Sequence, residues 1–314
     1  ALDPQTLETR GLSLLDGVLK KGEAFCAHPR FDPGHHGAPR MVTFGVKAGP
    51  RSTIRLMEFS SDGELLADSR HSFKGFAFLH DFAITPNWAV FLQNAVAFNP
   101  TGFVLGQKGA AQCLSSKPGE AGQFWLIPRS GEGKPLQIAA PEGFVFHHLN
   151  AFEDPTTGEV VVDSIYYDDF PSIGPEVDYR EIDFDSIPEG QLRRCRIDPS
   201  SGTVRSEWLE QRCCEFAMVN PAKQGLNARF AWMAVAQRER GNDPLQAIEK
   251  LDLQTGERLV WSAAPRGFVT EPVMVPRLTG DSPEDNSSEE GASEDSGWVL
   301  VPVWNGARCA TDLV

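Results

Sequence analysis

Asp154-Pro155-Thr156-Thr157-Gly158-Glu159, Asp198-Pro199-Ser200-Ser201-Gly202-Thr203 and Asp252-Leu253-Gln254-Thr255-Gly256-Glu257 are three versions of one phrase. An Asp side chain can satisfy the backbone N–H groups that follow it, and a Gly four residues later accepts a positive φ, so each phrase reads as a hairpin tip. Asn99-Pro100-Thr101-Gly102 is read the same way. Between the tips lie short apolar stretches: Met41 to Val46, Trp88 to Leu92, Phe124 to Ile127, Val160 to Ile165, Phe230 to Val235 and Trp298 to Val303. They have the length of strands and lack a helical stripe. The Asp positions are 44 and 54 residues apart, near the roughly 40 to 50 residues of a four-stranded propeller blade. The expected fold is all-β, a β-propeller; a pair of β-sandwiches would also give hairpins, but not at this period.

The chain has 314 residues, 41% hydrophobic and 23% charged, enough for a sizeable buried core. No run approaches the ~20 apolar residues of a membrane-spanning helix, and Ala1-Leu2-Asp3-Pro4 is not the start of a signal peptide. The net charge is −14, so the protein's field repels phosphate backbones and nucleic acid is not an expected partner. Seven acids lie between Asp281 and Asp295, which leaves 36 acidic against 29 basic residues elsewhere, net −7. That stretch is expected to be a solvated, disordered acidic insert (281–297), forming the loop of a hairpin between Val273 to Arg277 and Trp298 to Leu300; a regulatory acidic segment is the alternative. The six cysteines, Cys26, Cys113, Cys195, Cys213, Cys214 and Cys309, show no paired C-x-x-C spacing, and are read as reduced thiols.

All seven histidines fall in the first half: His28, His35, His36, His71, His80, His147 and His148. Three stand at apolar strand edges, in Phe25-Cys26-Ala27-His28-Pro29, Phe78-Leu79-His80-Asp81-Phe82 and Phe144-Val145-Phe146-His147-His148-Leu149-Asn150. The steps from 28 to 80 and from 80 to 147 are 52 and 67 residues, of blade size. Successive blades would thus aim one imidazole each at the axis, where a propeller's channel suits a metal. A site of neutral nitrogen donors without thiolate favours redox-active Fe(II) over structural zinc; the plainer reading is three hydrogen-bonded structural histidines. Metal-bound histidines need acceptors for their second N–H. Glu215, in Cys213-Cys214-Glu215-Phe216, and Glu271, in Val269-Thr270-Glu271-Pro272, sit among apolar neighbours as inward carboxylates would; edge-strand glutamates facing water would look similar.

The strings Ala27-His28-Pro29, His80-Asp81-Phe82-Ala83-Ile84-Thr85, Phe146-His147-His148-Leu149-Asn150-Ala151-Phe152-Glu153, Glu215-Phe216 and Glu271-Pro272-Val273-Met274-Val275-Pro276-Arg277 resemble, in order, the signature motifs of the carotenoid cleavage oxygenases. That family includes apocarotenoid oxygenases, plant epoxycarotenoid dioxygenases and the retinal pigment epithelium isomerase. The opening Leu2-Asp3-Pro4-Gln5-Thr6-Leu7-Glu8-Thr9-Arg10-Gly11 is similar to a further family string. The resemblance implies a seven-bladed propeller with Fe(II) on its axis, held by four histidines and steadied by glutamates that bond to them. His28, His80 and His147 match the first three ligands, His147 being the one of its pair that stands three residues before Asn150. Glu215 and Glu271 match two of three supporting carboxylates, whereas His35, His36, His71 and His148 match no ligand. The fourth histidine and the third glutamate fall outside this chain, so residues 1–314 are expected to be a single propeller domain cut at both ends, the metal site incomplete.

The activity implied is insertion of O₂ across a C=C bond of a carotenoid or apocarotenoid, giving two carbonyl products. Alternatives on the same scaffold are stilbene-type cleavage and retinoid isomerisation; a non-catalytic propeller used as a binding module is a third. A polyene substrate implies an aromatic-lined tunnel and peripheral docking on a membrane, for which Phe98 to Leu114 is the candidate segment. A monomer is expected, and cytosol and plastid are equally compatible locations.

Overall fold

The computed structural model describes residues 1–117, 119–171, 177–277 and 293–314. It is built almost wholly of antiparallel strands. β1 (Arg30–Asp32), β2 (Arg40–Lys47), β3 (Arg51–Ser60) and β4 (Leu65–Lys74) form one four-stranded meander. β5 (Ala83–Ile84) and β6 (Trp88–Gln93) begin a second. The chain then leaves through a ribbon of β7 (Val96–Phe98) and β8 (Leu114–Ser116), with the short helix α1 (Thr101–Val104) between them. It returns as β9 (Gln123–Pro128) and β10 (Leu136–Ala139) to complete that sheet. β11 (Phe144–Glu153), β12 (Val160–Tyr167), β13 (Gln191–Asp198) and β14 (Thr203–Glu210) make the third sheet. The fourth comprises β15 (Cys214–Val219), β16 (Phe230–Ala236), β17 (Leu245–Asp252) and β18 (Arg258–Ser262). β19 (Gly267–Val269) opens a fifth, and β20 (Val273–Pro276) pairs with β21 (Gly297–Leu300) as a separate ribbon. β22 (Pro302–Asn305) and β23 (Ala310–Leu313) then join β19. The architecture is that of an incomplete β-propeller, with the first strand of each sheet innermost.

The core lies between sheets, not within a single layer. Val42, Phe44, Ile54 and Leu56 of the first sheet meet Ala89, Phe91, Trp125 and Ile127 of the second. The alternate residues Val90, Leu92, Phe124 and Leu126 face Val145, Val160 and Val162 of the third. Successive side chains on a strand point to opposite faces, so a strand between two neighbours must be apolar at nearly every position. β12 shows this, all eight of its residues being buried. The same stacking repeats between the third and fourth sheets through Leu149, Ile165 and Met233, and between the fourth and fifth through Ile248, Val269 and Val303.

The three Asp–Gly phrases are hairpin tips with one geometry. Asp154, Asp198 and Asp252 each accept the Gly N–H on their carbonyl at 2.8 to 2.9 Å and a backbone N–H two residues on through Oδ1; the glycines have φ of 72° to 74°. Their spacing needs correction. Asp154 ends β11 and Asp198 ends β13, both of the third sheet, so only the 54-residue step from Asp198 to Asp252 joins equivalent hairpins of adjacent sheets. Asn99 to Gly102 is not a tip either: it leads into α1, where the Val104 N–H bonds the Pro100 carbonyl. The strand expected over Trp298 to Val303 divides between β21 and β22 at Val301, where Pro302 has no N–H to extend the ladder.

The hairpin expected around the acidic insert is present, β20 pairing Val273 with Leu300. Residues 281–292 of that insert lie outside the described residues. Its last acids are not merely solvated: Glu294 accepts the N–H groups of Arg229 and Phe230 at 2.8 and 3.0 Å, and Asp295 pairs with Lys250. Five of the six cysteines are buried, and all six are free thiols.

Candidate metal centre

Consecutive sheets deliver one chemically distinctive residue each, on or beside the innermost strand. His28 stands just before β1, His80 before β5, His147 within β11, Glu215 within β15 and Glu271 just after β19. The first three converge. Their rings pack edge to face with centroids 4.9 Å (28 to 80), 4.9 Å (28 to 147) and 5.1 Å (80 to 147) apart. One nitrogen from each ring lies within 4.8 Å of the other two, and Nε2 of His28 and His80 are 3.1 Å apart.

His147 reaches this position because β11 is irregular: its pairing with β12 shifts register on both sides of His148, and a bulge re-aims the side chains it displaces. β15 repeats the device. Its register shifts between Glu215 and Met218, and Phe216 takes φ +56°, which turns the Glu215 carboxylate toward the third sheet. There Glu215 Oε2 meets His147 Nδ1 at 2.6 Å and accepts the Phe216 N–H at 2.8 Å, while Oε1 accepts the Tyr167 hydroxyl at 2.5 Å. A carboxylate on Nδ1 holds the proton there and leaves the Nε2 lone pair free.

The electrostatics favour the neutral form of His28 and His80. Burial, with the His147 ring adding to it, holds His28 and His80 below the usual histidine range. Burial also pulls His147 down, but the hydrogen bond and charge of Glu215 outweigh it and the net shift is upward. Cys26 is the nearby thiol, its Sγ accepting the His28 N–H at 3.1 Å; burial pushes it up to about 11, so it is no thiolate at neutral pH. Three imidazoles converging without thiolate, one of them oriented by a carboxylate, are a donor set that fits a divalent transition metal.

Glu271 lines the same cavity, of about 340 Å³, with His28, His147, Leu149 and Phe216. It is exposed there, and among the described residues it makes no hydrogen bond to an imidazole; its charge raises the basicity of His28 and His147. The remaining histidines are structural: His148 bonds Ser164, His35 the Gln224 carbonyl, His36 the Pro86 carbonyl and His71 Ser69. On the other side of the imidazoles Phe78, Phe144, Phe146 and Phe170 form one aromatic cluster, Phe146 standing 5.8 Å from the His80 ring. One participant was not legible in the sequence: Tyr167 ends a strand that reads only as apolar.

Comparison with known proteins agrees with this fold. The family model described as retinal pigment epithelial membrane protein matches residues 1–314. An apocarotenoid-15,15'-oxygenase from Synechocystis is 41% identical over the whole chain, which covers 62% of that protein. An isoeugenol monooxygenase from Pseudomonas putida is 29% identical over 90% of the chain and 59% of its own length. The crystal structure of a cobalt-substituted Synechocystis apocarotenoid oxygenase superposes with a TM-score of 0.92 at 40% identity, covering all of this chain and 63% of that one.

Proposed function

Since the chain belongs to the retinal pigment epithelial membrane protein family, we propose that it carries most of the metal centre of a non-haem Fe(II) dioxygenase that cleaves a C=C bond of a carotenoid or apocarotenoid. The chain spans about 62% of the length of the apocarotenoid oxygenase it matches, so the activity is proposed for the protein that contains it. The observation that carries the reading is the convergence of His28, His80 and His147 within 4.8 Å, with Glu215 fixing one ring. The apocarotenoid relative, 41% identical, outweighs the isoeugenol relative at 29% in the choice of substrate class.

Ferrous iron held by these imidazoles would supply the redox chemistry that activates O₂; cleavage of one C=C bond by one O₂ gives two carbonyl products, each taking one oxygen atom. What this chain's residues do is bind and orient. His28, His80 and His147 offer ring nitrogens, and the Glu215 carboxylate on Nδ1 of His147 leaves its Nε2 side toward the centre. Phe146 and Phe216 flank the imidazoles and give a conjugated chain an apolar wall, which excludes water and holds the reacting bond in place. The supporting role proposed for Glu271 is electrostatic, through its charge on His28 and His147. Phe103, Val104 and Leu105, exposed on and just beyond α1, are proposed as the membrane-docking patch through which a lipid-dissolved substrate arrives.

The test is iron content and O₂-dependent bleaching of an apocarotenal, for this chain and for a version extended at both ends, with His80→Ala as control. About one iron per extended chain, bleaching, and loss of both in His80→Ala are expected. A folded extended protein that takes up no iron would overturn the oxygenase reading in favour of a binding module.

A further inference from the structure

Behind the three imidazoles lies a second triangle, made by their sequence neighbours. Asp81 and His148 directly follow His80 and His147, and adjacent residues on an extended chain point to opposite sides; Arg30 stands two residues beyond His28, after Pro29, and its guanidinium reaches the Asp81 carboxylate and the His148 carbonyl in the packing between sheets. Arg30 is 12% exposed and Asp81 2%. Arg30 Nη2 donates to Asp81 Oδ2 at 2.5 Å and to the His148 carbonyl at 2.8 Å, and the His148 N–H donates to the same Asp81 Oδ2 at 2.8 Å. Arg30 Nε bonds the Phe82 carbonyl at 2.7 Å, and Asp81 Oδ1 accepts the Phe82 N–H at 2.7 Å. Every bond joins two of the three ligand-bearing segments or stiffens one of them.

We propose that Arg30 and Asp81 are positioning residues: their buried ion pair, closed through the backbone of His148, sets the distances among His28, His80 and His147 without touching the metal. The inference rests on the reading of those histidines as ligands. The chemistry of the pair suits the task. A buried ion pair adds little net stability compared with apolar packing, but it fixes register because each partner demands a defined geometry. Arginine is the residue that can do this, since one planar guanidinium serves a carboxylate and two carbonyls from different segments. A lysine keeps the charge but has no second donor plane, and an asparagine at 81 would present its NH₂ either to Arg30 and the His148 N–H or to the Phe82 N–H.

The experiment compares wild type, Arg30→Lys, Asp81→Asn and the ligand control His147→Ala. Cobalt(II) is the probe, followed by its visible absorption, beside the melting temperature of the metal-free proteins. Expected are cobalt affinities lowered roughly 10- to 100-fold in Arg30→Lys and Asp81→Asn, with an altered band and melting within a few degrees of wild type. Wild-type affinity and an unchanged band in both variants overturn the proposal; should Asp81→Asn not fold, Arg30→Lys decides alone. If wild type and His147→Ala take up cobalt equally, it is the metal reading that has failed. The brace is then judged from metal-free crystal structures: a His28–His80 Nε2 separation still at the wild-type 3.1 Å in Arg30→Lys overturns it, and a widened or heterogeneous one supports it.

Discussion

Glu215 shows how much one carboxylate does when its acceptor sites are filled. It takes a proton donor from the third sheet (His147), a hydroxyl from the end of β12 (Tyr167) and the backbone N–H of its own strand (Phe216). Burying a carboxylate is costly unless such donors surround it, so the site invests three groups in holding one ring. Replacing Glu215 by Gln keeps the shape but lets the His147 proton settle on either nitrogen. We expect cobalt affinity to fall roughly 10- to 100-fold, measured by equilibrium dialysis, while Tyr167→Phe, which leaves the His147 contact in place, has a smaller effect. An equal loss in both would mean that the tyrosine, not the carboxylate, sets the ring. The glutamate itself was legible among its apolar neighbours and through the family resemblance. Its partner Tyr167 was not, because a tyrosine ending the run Val160 to Tyr167 is indistinguishable from core until the hydroxyl's target is known.

At the scale of strands and hairpins, local chemistry was readable and connectivity was not. The three Asp–Gly tips adopt one turn because Asp capping and a positive φ are properties of the phrase itself. Which tips belong to one sheet depends on pairings made far along the chain, and a tip joining strands one and two looks like a tip joining three and four. The bulges at His148 and Glu215 escaped for the same reason: register is a relation between strands. The tips offer a clean test, since Gly158, Gly202 and Gly256 have φ of 72° to 74° and nothing within 4 Å of an added Cβ. Each Gly→Ala change should cost about 1 to 2 kcal/mol from backbone conformation alone, read as similar drops in melting temperature; a much larger drop at one site would show a contact peculiar to it. A second test concerns the join of the third and fourth sheets, where Glu210 at the end of β14 and Glu249 in β17 are both buried beside Arg212 and Arg258. Burial, and the neighbouring Glu210 carboxylate, push Glu249 up to about 7. The folded protein therefore holds a proton that the unfolded chain releases near the ordinary Glu value of about 4.3. Stability from this group is present below that value and lost as pH rises through 7. Glu249→Gln should flatten the profile and exceed wild type at pH 8 by on the order of 2 kcal/mol, checked by urea denaturation at pH 5 and pH 8. An unchanged slope would mean that Arg212 keeps the Glu249 carboxylate ionised.

For the molecule as a whole, the consequence of radial sheets is that residues 52 to 68 positions apart in sequence become neighbours on one axis. That periodicity is why three imidazoles could be matched from spacing and motif, whereas the brace of Arg30 and Asp81 behind them could not: it exists only once three sheets have docked. The same assembly places the β7–α1–β8 excursion outside the stacked sheets, with Phe103 50%, Val104 77% and Leu105 63% exposed. Among the described residues no helix is long and apolar enough to cross a membrane; the exposed apolar excursion is the surface proposed above for docking. The net charge of −14 decides the type of surface. An anionic membrane repels such a protein, and attraction through basic residues would weaken with salt; apolar insertion does neither. The chain should therefore sediment with neutral phosphatidylcholine vesicles to a degree that salt between 50 mM and 500 mM, about a threefold change in Debye length, hardly alters. Val104→Asp with Leu105→Asp should abolish most of that retention without changing the melting temperature, because neither side chain is buried in the core. Retention that survives the double change, or that falls steeply with salt, would place the docking surface elsewhere on the ring.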